Sequence, residues 1–85
     1  MKEFTYTIRD ELGIHARPAG LLVKEIKSLD SSVTITKGEK SVDALRLIAL
    51  MGMGIKQNDT VKVSISGGNE EVSENRLKAF FENNL

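Results

Sequence analysis

Phe4, Tyr6 and Ile8 alternate with Glu3, Thr5, Thr7 and Arg9, the period-two pattern of a half-buried strand. Residues 10–14 form a connection containing one glycine. Ala19, Leu22, Val23, Ile26 and Leu29 then recur at steps of three and four, which predicts a helix over 16–28 with one stripe facing a core. Pro18, the only proline, falls in its first turn, where a missing N–H costs nothing. Val33 and Ile35 alternate with Ser32, Thr34 and Thr36 in a second strand. A turn at Lys37-Gly38-Glu39 leads to a short return strand at Ser41–Asp43, making a hairpin. Residues 44–55 are almost continuously apolar and predict a short helix over 46–53, ended by Gly52 and Gly54. After a loop at 57–59, Val61, Val63 and Ile65 mark another strand. Gly67-Gly68-Asn69 breaks it, and Glu70, Glu71 and Glu74 open a last helix whose core side is expected to carry Val72, Leu77, Ala79, Phe80 and Phe81. The order β-α-β-β-α-β-α predicts an α+β domain with helices over one face of an antiparallel sheet.

The chain has 85 residues, room for a single domain with one thin core and no deep cleft. Twelve basic and twelve acidic residues cancel, so nothing suggests nucleic acid as a partner. Cysteine is absent and histidine occurs once, which excludes disulfide scaffolds, thiol chemistry and Cys-ligated zinc. No apolar run reaches the roughly 20 residues of a membrane helix, and the N-terminus does not read as a signal peptide. A cytoplasmic location is expected.

One segment carries chemistry: Gly13-Ile14-His15-Ala16-Arg17-Pro18-Ala19-Gly20. His15 lies at or beside the N-cap of the first helix. Free N–H groups at such an end and the helix dipole favour an anion. Arg17 adds a planar fork suited to phosphate oxygens. A positive helix end also favours the neutral imidazole, which keeps a nitrogen lone pair for attack. The pattern suits a histidine that accepts a phosphoryl group. The same residues also fit a capping histidine beside a solvated arginine.

Gly13-Ile14-His15-Ala16-Arg17-Pro18-Ala19, its distance from the N-terminus, the element order and the apolar second helix ending at Gly54-Ile55 resemble the HPr family. These are histidine-containing phosphocarriers of the phosphoenolpyruvate-dependent sugar phosphotransferase system. The resemblance spans essentially the whole chain. It implies an open-faced β-sandwich, a four-stranded antiparallel sheet covered on one face by three helices. It implies that His15 takes phosphate on Nδ1 from enzyme I and passes it to the A domain of a sugar-specific enzyme II. Arg17 matches the family's active-site arginine. A docking patch is implied at Ala19, Gly20, Val23, Leu47, Ile48 and Met51; of the two methionines that end the apolar run, Met51 is expected exposed near that patch and Met53 packed at the helix end. No cofactor or bound metal is implied, and a monomer is expected. A regulatory paralogue that carries little sugar flux is the alternative within the fold. A small hydrolase is disfavoured, since the signature holds no acidic partner for the histidine and the fold offers no cleft.

The chain departs from its relatives at Arg46. Many Gram-positive members carry there a serine phosphorylated by an ATP-dependent kinase. Arg46 is either a polar residue at a helix start or a charge that favours acidic partner surfaces. No Ser or Thr occurs between Ser41 and Thr60. The expected result is no ATP-dependent phosphorylation in this helix. Incubation with a Gram-positive HPr kinase and ATP, followed by mass spectrometry, checks it. Phosphoserine in the unaltered chain, for instance at Ser41, contradicts it.

Overall fold

Alternation along the strands decides which side of the sheet is wet. The computed structural model describes residues 1–85. Its elements are β1 (Lys2–Thr7), α1 (Ala16–Lys27), β2 (Ser32–Lys37), β3 (Lys40–Asp43), α2 (Leu47–Gly52), β4 (Thr60–Ser66) and α3 (Glu70–Asn84). The strands form one antiparallel sheet in the order β1-β4-β2-β3. Phe4 lies opposite Val63, Val63 opposite Ile35, and Ile35 opposite Val42. That row, with Tyr6, Val61, Val33 and Ile65, supplies the face beneath the helices. The other face is polar. Thr7 and Thr60 share a hydrogen bond of 2.9 Å, Thr36 and Ser41 one of 2.8 Å, and Ser64 donates to Glu3 at 3.1 Å. The open-faced sandwich and the element order are those expected.

Element limits shift by a residue or two. The first strand ends at Thr7, but Ile8 stays fully buried. Its N–H donates to the Asp59 carbonyl at 2.9 Å and its carbonyl accepts from the Asn58 N–H at 2.8 Å, so it pairs with a loop instead of a strand. The return strand starts one residue early, at Lys40. α2 is shorter than its apolar run: Arg46 is its N-cap and Met53 its C-cap, and Gly54 follows with φ +64°, the left-handed turn that closes a helix.

α1 buries Pro18, Ala19, Leu22 and Ile26, the stripe its periodicity predicts. α3 corrects the sequence reading. Val72 is 49% exposed and Ala79 is also exposed. The buried positions are Ser73, Leu77 and Phe81, four residues apart on one face. Ser73 fits a core because its hydroxyl shares a 2.8 Å bond with that of Ser31, which also reaches the Gly67 carbonyl at 2.6 Å. Phe81 meets the Phe4 and Tyr6 rings edge-on, at 5.9 and 5.4 Å between centroids. Burying such a side chain contributes about 1.5–3 kcal/mol.

The loop after α2 is tied to the hairpin tip. Lys37 Nζ reaches Asp59 Oδ2 at 2.8 Å and the Gly54 carbonyl at 3.2 Å, and the Lys56 N–H donates to Asp59 Oδ2 at 2.8 Å. The Lys37 hydrogen bond, then that of Lys56, hold the Asp59 carboxyl below its ordinary 3.8. A folded-state value below the unfolded one adds stability above pH 3.8, lost as pH falls through the folded value. Asp59→Asn is therefore expected to lower the denaturant midpoint at neutral pH, and the difference from wild type is expected to close in acid. Urea titrations of both proteins across the acid range check this. A pH-independent difference contradicts it.

Candidate functional site

His15 is positioned by the backbone that precedes it. The Arg9 and Asp10 N–H groups donate to the Leu85 carbonyl at 2.6 and 2.9 Å, docking the start of the β1–α1 connection on the end of α3. Asp10 Oδ1 accepts from the Leu12 N–H at 2.8 Å, and the Asp10 carbonyl from the Gly13 N–H at 3.0 Å. Gly13 has φ +67°, and a Cβ there would collide with the Ile55 carbonyl oxygen and lie 2.7 Å from Lys56 Cα. The Ile14 N–H then donates to that same Ile55 oxygen at 3.1 Å, and Ile14 is buried. A side chain at 13 would break the contact that fixes the next residue but one.

His15 is the N-cap of α1, with φ −104° and ψ −174°, and its side chain makes no capping bond. Its carbonyl accepts the first helical bond, from Ala19 at 3.0 Å. Pro18 has no N–H, and the Ala16 and Arg17 N–H groups, in the first turn, have no acceptor in the protein. The imidazole is half-buried and engages no side chain. Arg17 is exposed and forms no ion pair. Both side chains line a shallow concavity of about 190 Å³ with Asp10, Leu21, Asn83 and Asn84. Free N–H groups and a guanidinium, open to solvent on one side, make this a place for an oxyanion beside a ring nitrogen.

The sequence reading named His15 and Arg17, and the structure brings them together. It missed Asp10 and Leu21, which flank the motif, and Asn83 and Asn84, which come from the distant end of α3. Asp10 answers the search for an acidic neighbour of the histidine, although no hydrogen bond joins it to the ring. The expected docking patch needs one correction. Ala19 is fully buried, since it faces the sheet along the α1 stripe, and offers no contact surface. Gly20 and Val23 are half-buried on α1. Leu47 is 37% exposed, Ile48 81% and Met51 38%, whereas Met53 is buried. Arg46, Leu47 and Ile48 line a separate concavity on α2. α2 meets the site through its C-terminal corner, where Ile55 receives Ile14. No three His, Cys, Asp or Glu side chains converge as a metal site, and no helix is long and apolar enough to cross a membrane.

The Gly13 contact predicts a local failure. Gly13→Ala is expected to destabilise the fold by about 1–3 kcal/mol through the forced left-handed backbone and the collision. It is also expected to loosen His15. Denaturant unfolding together with the His15 ring resonances by NMR checks both. A variant of wild-type stability and unchanged ring shifts contradicts the account.

Comparison with known proteins places the chain in a family. The family described as "PTS HPr component phosphorylation site" matches residues 2–83. The phosphocarrier protein HPr of Mycoplasma genitalium is 34% identical over 85 residues, covering 99% of this chain and 97% of the relative. That of Buchnera aphidicola is 40% identical over 68 residues, 80% of each chain. Among solved structures, HPr from Thermoanaerobacter tengcongensis superposes with a TM-score of 0.90 at 35% identity, covering 96% of this chain and 92% of that one. A HPr described as a dimer from the same organism and the swapped dimer of Bacillus subtilis Crh superpose at 0.75 and 0.78, with 35% and 28% identity, over 98% and 94% of this chain and 95% and 92% of theirs. By fold, by motif and by relatives, the chain belongs to the HPr family of phosphocarriers of the phosphotransferase system.

Proposed function

We propose that this chain relays a phosphoryl group on His15, taking it from phosphorylated enzyme I and giving it to the A domain of a sugar-specific enzyme II. The observation that carries this reading is the unengaged His15 ring beside two free helix N–H groups and Arg17. In the first step the Nδ1 lone pair attacks phosphorus, a new N–P bond forms, and the bond from phosphorus to the donor breaks. The phosphoryl oxygens then lie where the Ala16 and Arg17 N–H groups and the guanidinium can donate to them. The second step is the same displacement in the other direction, with His15 as leaving group. The chain ends unchanged, a carrier and not a catalyst, working as a monomer in the cytoplasm.

Recognition uses Gly20, Val23, Leu47, Ile48 and Met51 as an apolar centre. Lys24, Lys27 and Arg46 are exposed cations with no acidic partner. They fit partners with an acidic rim, which raises the encounter rate and makes it sensitive to salt.

Incubation with phosphoenolpyruvate and enzyme I is expected to add one phosphoryl group, seen by intact mass. His15→Ala is expected to abolish it with stability changed by less than about 1 kcal/mol, since the ring caps nothing. Arg17→Lys is expected to slow transfer, because a point charge does not replace a planar fork. Undiminished labelling of His15→Ala overturns the assignment, and wild-type kinetics in Arg17→Lys place the guanidinium outside the site.

A further inference from the structure

Asp10 is the one carboxylate lining the concavity that holds His15 and Arg17. Its place is fixed. Its N–H is held by the Leu85 carbonyl at 2.9 Å, its carbonyl by the Gly13 N–H at 3.0 Å, and its Oδ1 by the Leu12 N–H at 2.8 Å. No cation of the chain pairs with it. Arg9 and Glu11 flank it in sequence and are exposed, Arg17 lines the same concavity, and Lys56 lies across the Gly13 contact.

A phosphoryl group on His15 brings about two negative charges at neutral pH. An anchored carboxylate across a shallow concavity repels them and cannot swing away without losing its turn. We propose that Asp10 is a positioning residue of opposite sign to Arg17, raising the transfer potential of phosphorylated His15. Arg17 and the helix N–H groups hold the phosphoryl group, while Asp10 keeps that hold weak enough for the group to leave. A carrier needs this balance, since tight binding of the phosphorylated state would stall the second transfer. The inference rests on the phosphocarrier reading.

Asp10→Asn tests it cleanly, because an asparagine oxygen accepts the same Leu12 hydrogen bond and only the charge is lost. The measurement is the fraction phosphorylated at equilibrium with enzyme I and a fixed ratio of phosphoenolpyruvate to pyruvate, at low and at high salt. Asp10→Asn is expected to shift the equilibrium toward the phosphorylated form by roughly threefold or more at low salt. Salt screens the repulsion, so the gap should shrink at high salt. Asp10→Glu is expected to stay near wild type, and Asp10→Ser, another uncharged turn former, serves if Asp10→Asn does not fold. An equal or lower phosphorylated fraction in the uncharged variants, or a gap unaffected by salt, overturns the role of Asp10. Failure of the wild-type chain to be phosphorylated at all overturns the phosphocarrier reading instead.

Discussion

The site depends on one close approach of backbone to backbone, Gly13 against Ile55. The Ile55 carbonyl oxygen fills the space a Cβ would take, and it also accepts the Ile14 N–H at 3.1 Å. That contact joins the start of α1 to the corner where α2 ends. His15 follows directly, so its ring inherits the placement. A flexible loop would let the imidazole sample many positions and would give up the orientation on which attack depends. The corner is itself braced. Gly54 turns the chain after α2, and Lys37 holds both the Gly54 carbonyl and Asp59 from the hairpin tip. The sheet thus supports the placement of His15 at its helical edge without contributing a side chain to it.

Charge is arranged more sharply than the net value of zero suggests. α1 and α2 expose Arg17, Lys24, Lys27 and Arg46, and their one acidic residue, Glu25, is bound to Arg76 at 2.7 Å. α3 carries Glu70, Glu71, Glu74 and Glu82 against two cations, Arg76 and Lys78, each paired with a glutamate. A neutral protein with one basic side can be steered toward an acidic partner while staying indifferent to polyanions at large. Beside the basic side, Asp10 is the exception, and it lines the concavity of His15 and Arg17.

Much of the fold was legible because strand alternation and the α1 stripe come straight from burial. β1, β2 and β4 were read to within two residues, since each pairs a wet face with a dry one. α3 was misread at Val72 and Ala79 because its real stripe passes through Ser73. A buried serine satisfied by Ser31 looks polar in sequence, and the partner lies 42 residues away. In the site, His15 and Arg17 were legible because a local motif holds both chemistry and helix start. Ala19 belongs both to the core stripe of α1 and to the docking patch that the resemblance implies, and the stripe is the reading that holds, since Ala19 is fully buried. Asp10, Asn83 and Asn84 could not be read, because only the docking of the first connection on the end of α3 puts them beside the histidine.

The central claim is that the helix start holds the phosphoryl group on His15. Amide spectra of the uniformly ¹⁵N-labelled chain before and after phosphorylation test it most directly. The account predicts that the Ala16 and Arg17 amide resonances move furthest, as their N–H groups gain phosphoryl acceptors, while the sheet stays in place. A phosphorylated chain whose Ala16 and Arg17 amides do not move contradicts it.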